Sequence, residues 1–391
     1  PQPSSPVGTQ HKFMLRPYET GRLGQGRLLP MLCPYRTDCQ KFSCRTYLSY
    51  FLRSMDIHHH FSLKKLNTFS IEATSERLAI VRSLEDLQSF LAENSSASPI
   101  HILGGGSNIL LTGDLPGWVV KNEITGIKIV EEDENQAIVA AGGGENWHRL
   151  VLWSLDQNLF GIENLSLIPG SVGAAPMQNI GAYGVELKDV FHHLEAVELA
   201  TGKLHTFDLD ACRFGYRASI FKQELKDKFF IVKVFLRLSK APHLNTSYGD
   251  IQKTLAETGI YSPTPRDVSN AVICIRQSKL PDPAEIGNAG SFFKNPEMEV
   301  AYFQRLQAEF PKMPHYDSPN GKVKIPAGWL IEQAGWKGWR RGDAGCHARQ
   351  ALVLVNYGNA KGEEIWRLAE EILASVAEKF GVRLSPEVNV W

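Results

Sequence analysis

The chain has 391 residues, enough for two or three domains with cores of their own. It is 43% hydrophobic and 21% charged, and 42 basic residues balance 42 acidic ones, so no global field points to nucleic acid or an anionic membrane. No apolar run reaches the roughly 18 residues of a transmembrane helix, and six cysteines without a CxxC pair fit a reducing cytoplasm rather than a disulfide framework.

Residues 1–54 differ from the rest of the chain. They carry eight Lys/Arg against Glu19 and Asp38, with scattered Pro and Gly and no sustained period. Such a segment suits a basic targeting sequence, a disordered tail, or sequence upstream of a start at Met55, and the last is preferred because organised pattern begins soon after it. His58, His59 and His60 read as part of a solvated tail, since adjacent histidines project in different directions.

From Asn67 onward the pattern is α/β. SLEDLQSFLAEN (83–94) spaces Leu84, Leu87, Phe90 and Leu91 as one helical face behind a Ser cap. A short strand, SPIHIL (98–103), runs into GGGSN (104–108), and strands are predicted next at 117–120, 126–130 and 136–141. NWHRLVLWSLDQN (146–158) is an amphipathic helix that stops before Gly161. Alternating strands are predicted at 190–199 and 229–238. Further on, helices are predicted over 300–310, 324–335 and 363–380, the last closed by Gly381, with a strand at 350–355 between them.

The segment IPGSVGAAPMQNIGAYG (168–184) is neither helix nor strand by pattern. It holds four glycines and three alanines in 17 residues and no charge. Glycine clusters supply backbone geometry that side chains forbid, including close approach of N–H groups to phosphate. With GGGSN and AGGGENW (141–147) it makes either a cradle for one extended phosphate-bearing ligand or three unrelated turns. Neither GxGxxG nor GxxxxGK[ST] occurs, which disfavours a Rossmann or P-loop site.

Three further constellations carry chemistry. In RFGYRASIF (213–221), Arg217 lies among apolar residues, suited either to an anionic ligand or to a salt bridge with Asp208 or Asp210. In GNAGSFFKNP (287–296), Ser291 lies at the edge of a dry pocket as a proton donor or as a cap; no GxSxG surrounds it. In SPEVNVW (385–391), Glu387 is either solvent-facing by alternation or a tuned acid.

PGSVGAAPMQNIGAYG, YRASIF, SYGD, IRQSKLPDP, GSFFKNP, AGWLIEQAG, HARQALVLVN and SPEVNVW, in that order, closely resemble the UDP-N-acetylenolpyruvoylglucosamine reductase (MurB) family, from LKKLNTFSIEA (63–73) to residue 391. The resemblance implies a vanillyl-alcohol-oxidase-type FAD-binding fold with two FAD-binding subdomains and a separate α/β substrate domain. It implies residues 61–121 for the small FAD subdomain, 122–280 for the main one with 382–391 returning to it, and 281–381 for the substrate domain. The glycine-rich stretch becomes the bed for FAD, with contacts carried to Gly105, Ser107, Asn108, Gly170, Ser171, Gly173, Asn179 and Gly181.

The implied reaction is reduction of UDP-N-acetylglucosamine enolpyruvate to UDP-N-acetylmuramate, with NADPH as hydride donor and FAD as carrier, in cytoplasmic peptidoglycan synthesis. Hydride reaches C3 of the enolpyruvyl group, and negative charge spreads over C2 and the carboxylate. Arg217 matches the family arginine that supports this charge. Glu387 matches a glutamate that donates a hydrogen bond if its apolar neighbours keep it protonated. Ser291 matches the proton donor to C2. Tyr216, Lys279 and Asn295 match substrate-binding positions, and Tyr248 matches the tyrosine of a loop that closes over substrate in one family subtype. No metal, nucleic acid or membrane partner is implied, and a monomer is expected. The alternatives are another FAD oxidoreductase or oxidase of the same fold, or a non-catalytic flavin-binding protein. The presence of Arg217, Ser291 and Glu387 together favours the enzyme.

Overall fold

The computed structural model describes residues 55–94, 98–318 and 321–391, so the expectations for residues 1–54 lie outside the described residues. The first sheet has the order β1-β2-β5-β3. Strand β1 (Asp56–Ser62) pairs antiparallel with β2 (Thr74–Val81). The three histidines therefore do not belong to a tail: His58 and His59 pair with Leu78 and Arg77. Local pattern could not show this, because the ladder partner supplies the order. Helix α1 (Leu84–Glu93) starts where Ser83 Oγ accepts from the Asp86 N–H at 3.0 Å. It buries Leu87, Phe90 and Leu91, with Phe90 edge-on to Trp118. Strand β3 (Ile100–Leu103) leads to the glycine turn and β4 (Ile109–Leu110), and β5 (Leu115–Asn122) runs parallel to both β2 and β3.

The second sheet is antiparallel throughout, in the order β11-β10-β12-β7-β6. Strands β6 (Ile127–Glu132) and β7 (Gln136–Gly142) precede α2 (Trp147–Asp156), which Asn146 caps by accepting from the Arg149 N–H. The segment 168–184 comes next as the 3-10 turns Val172–Ala174 and Pro176–Gln178, then the hairpin β8 (Gly181–Ala182) and β9 (Val185–Glu186). Strands β10 (Phe191–Glu198) and β11 (Leu204–Asp208), the short helix α3 (Leu209–Cys212) and β12 (Phe229–Ser239) complete the layer. Helices α4 (Gly249–Glu257) and α5 (Pro265–Lys279) pack together through Ile251, Leu255, Val272 and Ile275. A capping box of Thr264 and Asp267 opens α5.

The last third begins with β13 (Gly287–Ser291), β14 (Glu297–Met298), α6 (Val300–Glu309), β15 (Tyr316–Asp317) and β16 (Val323–Lys324). It continues through α7 (Ala327–Gln333), β17 (Arg340–Arg341), β18 (Ala344–Cys346), β19 (Val353–Asn356), α8 (Gly362–Phe380) and β20 (Asn389–Val390). Pro326 is the N-cap of α7 rather than a residue of its first turn. Gly381 closes α8 at φ 66°, the left-handed conformation a C-cap requires. One buried cluster joins Leu63, Phe69 and Leu110 to Phe292, Ile365 and Phe380, so the last third shares a core with the first.

Two long-range connections position the site. The loop after β1 is tied by Asn67, whose Nδ2 donates to the Leu63 and Ile71 carbonyls and whose Oδ1 accepts from the Ile71 N–H. From that loop the Thr68 N–H donates to the Gly106 carbonyl, and the Thr68 carbonyl accepts from the Asn288 N–H. The C-terminal segment then returns to β4, not to the sheet of residues 122–280: β20 runs parallel to β4, and the Asn389 N–H donates to the Asn108 carbonyl. Asn67→Ala leaves the Ile71 N–H and carbonyl without these partners at a hub, while the Leu63 carbonyl keeps the Leu66 N–H. Its expected cost is about 3 kcal/mol in urea unfolding.

Candidate active site

A cavity of about 720 Å³, within the size range of cofactor sites, opens where these segments meet. One wall is GGGSN packed against PGS (169–171). A Cβ on Gly105 would lie 2.8 Å from Gly170 Cα, and one on Gly104 would lie 2.4 Å from Ser171 Oγ. The two loops therefore touch backbone to backbone, and the side chains at their rim are small and polar: Ser107, Asn108 and Ser171 line the cavity. Gly290, also on the wall, has φ +70° and a Cβ there would meet nothing within 4 Å. A side chain at that position would project into open space.

Of the residues assigned to FAD, Ser107, Asn108, Ser171 and Gly181 line the cavity. Gly105 and Gly170 lie behind them as the contact between loops. Gly173 and Asn179 do not line it. A Cβ on Gly173 would lie 2.9 Å from the Gly143 carbonyl. The Asn179 side chain is engaged by Glu186, the Gly215 carbonyl and the Lys188 N–H. Both shape the bed rather than face it.

The three residues assigned to catalysis meet at the cavity. Arg217 sits at φ +50°, a conformation unusual for a residue with a side chain. Its Nη2 donates to the Gly181 carbonyl at 2.6 Å, and its Nε lies 3.2 Å from Glu387 Oε1. Neither Asp208 nor Asp210 is its partner: Asp208 caps α3 by accepting from the Ala211 N–H. Glu387 is 14% exposed in its side chain, so the solvent-facing alternative is set aside. The Glu387 N–H donates to the Phe292 carbonyl at 2.8 Å, which places Glu387 beside the strand that ends at Ser291. Ser291, the last residue of β13, lines the same cavity next to Gly290.

The four substrate residues stand outside the cavity lining and form two groups. Asn295 Oδ1 accepts from the Ala327 N–H at 2.9 Å, and its side chain also bonds Tyr216. The Lys324 ammonium lies 3.5 Å from the centroid of the Tyr216 ring. Tyr248 is exposed at the start of α4, edge-on to Tyr183, while Lys279 Nζ lies 2.5 Å from Asp250 Oδ2.

Three cavity residues escaped the sequence reading. Arg276 presents a guanidinium whose Nε donates to the Leu167 carbonyl, and burial with Arg217 nearby lowers its pKa. It stands one helical turn before Lys279, within IRQSK, which was the available signal. Gln178 lies inside the glycine-rich stretch and bonds Glu387. His148 Nδ1 accepts from the Leu167 N–H at 3.0 Å. Burial, then the charge of Arg276, holds His148 below its ordinary value. Among the described residues no group of three His, Cys, Asp or Glu side chains is placed to hold a metal. Burial pushes the Cys212 and Cys346 thiols up to about 12, which leaves both protonated.

Comparison with known proteins matches this geometry. A family pattern described as an FAD binding domain matches residues 75–208. One described as UDP-N-acetylenolpyruvoylglucosamine reductase, C-terminal domain, matches residues 282–391. The UDP-N-acetylenolpyruvoylglucosamine reductase of Flavobacterium johnsoniae is 52% identical over 337 residues, 86% of this chain and 100% of its own. The Pseudomonas aeruginosa reductase is 49% identical over 339 residues, with the same coverage. A crystal structure of UDP-N-acetylenolpyruvylglucosamine reductase from Thermus caldophilus covers 86% of this chain and 98% of its own, with TM-score 0.59 at 23% identity; it shares the fold. Fold and cavity thus define a flavoprotein oxidoreductase with an FAD-binding portion and a separate C-terminal α/β domain. Within that class the chain belongs to the UDP-N-acetylenolpyruvoylglucosamine reductase family.

Two outcomes are expected. Gly105→Val drives side-chain carbon into the Gly170 backbone, so the loops must part. The purified variant should retain at least about tenfold less FAD per chain by visible absorbance. On acidification the unfolded chain protonates at His148 before the folded one does, so stability should fall as pH drops below about 6.5. His148→Gln keeps an acceptor for Leu167 and does not titrate, so melting temperature against pH should have a shallower acid slope.

Proposed function

We propose that the chain reduces UDP-N-acetylglucosamine enolpyruvate to UDP-N-acetylmuramate with NADPH, using resident FAD, in peptidoglycan precursor synthesis. The observation that carries this reading is the Arg217–Glu387 pair, 3.2 Å apart on a cavity wall that also presents Ser291 and the FAD bed. Bound FAD supplies the two-electron chemistry that links NADPH oxidation to saturation of the enolpyruvyl double bond.

The rest is the work of the chain. Ser107, Asn108 and Ser171 offer hydroxyl and amide groups to the cofactor, and the glycine contact behind them lets it lie close to the backbone. Arg217, fixed by the Gly181 carbonyl and by Glu387, presents a preoriented positive charge to the substrate carboxylate, onto which negative charge moves as C3 is reduced. Glu387 meets the same carboxylate; when protonated it donates a hydrogen bond to it. Ser291 gives its hydroxyl proton to C2. Its place on the cavity wall with Arg217 and Glu387 supports this role.

Tyr216 with Asn295, and Tyr248 with Lys279, bind the UDP portion outside the reacting cavity. The segment around Tyr248 supports membership of the subtype whose tyrosine loop closes over substrate. Residues 61–121 and 122–280, with Glu387 reaching the latter through its side chain, form the two FAD subdomains, and 281–381 the substrate domain. We place the reaction in the cytoplasm and the enzyme as a monomer, a setting in which both nucleotide substrates are present. Among the described residues no helix is long and apolar enough to cross a membrane.

The test is anaerobic. The purified yellow protein should bleach with one equivalent of NADPH and recover its colour on addition of the enolpyruvyl sugar. Bleaching without recovery moves the substrate elsewhere. Ser291→Ala should leave bleaching nearly unchanged and slow recovery by about a thousandfold or more, a loss within the range for a positioned acid. Equal damage to both steps removes Ser291 from the donor role.

A further inference from the structure

Glu387 is held by more than Arg217. Gln178, at the end of the second 3-10 turn, donates from Nε2 to Glu387 Oε1 at 3.2 Å. Its own Oε1 accepts from Lys222 Nζ at 3.0 Å and from Asn108 Nδ2 at 3.2 Å. Lys222 and Asn108 both also reach the Glu387 backbone carbonyl, each at 3.3 Å. Three segments remote in sequence, ending at Asn108, Gln178 and Lys222, thus grip one residue of the C-terminal return.

The chemistry of these groups dictates their orientation. An ammonium has three donors and no acceptor. Beside it, the Gln178 amide must turn its oxygen toward Lys222, which leaves the NH2 for Glu387. The flipped amide sets donor against donor at Lys222 and acceptor against acceptor at Glu387. Glu387 Oε1 is then occupied twice, by Gln178 and by Arg217, and Oε2 is the oxygen left for the cavity.

We propose that Lys222 is a positioning residue for Glu387: acting through Gln178, it determines which carboxyl oxygen the protein binds and which meets the substrate. This rests on the function proposed above for Glu387. It goes beyond that function by naming the group that sets the carboxyl's orientation.

The surroundings of Lys222 make the arrangement sensitive to pH. Burial is the main influence on it, then repulsion from Lys294; Glu387 opposes these, while Arg217 and Lys226 add to them. Together they bring the ammonium down to about 8. Above that pH the neutral amine can accept as well as donate, and the amide loses its enforced orientation.

The coupling is read directly from the side-chain NH2 of Gln178 in FAD-loaded protein by 1H–15N NMR across about pH 6 to 10. The resonance, assigned by its loss in Gln178→Met, should shift with a midpoint near 8 in the parent protein. It should not shift in that range in Lys222→Arg, whose guanidinium stays charged. In turnover, Lys222→Met should slow substrate-driven flavin reoxidation about tenfold or more while leaving reduction by NADPH unaltered, and Lys222→Arg should restore most of the loss and remove the alkaline limb near pH 8. A Gln178 resonance that stays fixed with pH in the parent, or a Lys222→Met protein that reoxidises like the parent, overturns the proposal. The parent titration does not depend on Lys222→Met, so it decides the coupling even where that variant unfolds. A parent protein that the enolpyruvyl sugar does not reoxidise overturns the function instead, and the amide titration still decides the Lys222–Gln178 contact.

Discussion

The site depends on two loops that meet where no side chain is larger than serine. A Cβ added at Gly104 or Gly105 would run into Ser171 Oγ or the Gly170 backbone. That constraint brings the turn after β3 and the segment after α2 into a single surface, although they are far apart in sequence. A flavin dinucleotide needs such a surface, because its diphosphate is best held by backbone N–H groups and its ring by flat, uncrowded walls. The glycines cost conformational entropy on folding, offset by the cores on either side. Much of the remaining wall is then free to vary in chemistry, and it carries both cations and a carboxylate.

Those charged groups are arranged by opposing demands. Arg217 adopts a strained backbone conformation to bring its guanidinium between the Gly181 carbonyl and Glu387. Glu387 in turn is held by main-chain pairing to Phe292 and by side chains from three other segments. Breaking one side of such a pair leaves a poorly solvated charge, which costs more than the pair itself contributes. Rigidity of this kind suits a centre that must receive charge without rearranging.

How much of the fold and site was legible in the chain depends on which interactions are local. Helix α1 with its Ser83 cap, α8 with Gly381, and the strands around 136–142 and 229–239 were legible because period and caps lie within a few residues of one another. The side-chain-poor stretch was legible as unusual, and its 3-10 turns agree with the lack of either period. The partner of Arg217 was not, since nearby Asp208 and Asp210 were equally good by sequence and only the return of residues 385–391 brings Glu387 closer. His58 and His59 looked unstructured because their ladder partners lie in β2. Gln178 and Lys222 gave no signal at all; their significance is the direction of an amide, which exists only once the chain is folded. Motif resemblance supplied what local physics could not, bringing Ser291 and Glu387 to one place.

The return of the C-terminal segment to β4 bears on how the molecule comes into being. The bonds joining Asn108 to Glu387 and Thr112 to Trp391 close loops of 279 residues, and that from Asn356 to Phe69 closes one of 287. Contacts so distant carry more closure entropy than the pairings within the sheet of β6 to β12. A chain lacking the final segment would keep Arg217 and the glycine loops but would lack Glu387, so the charge pair at the site exists only once that segment has docked.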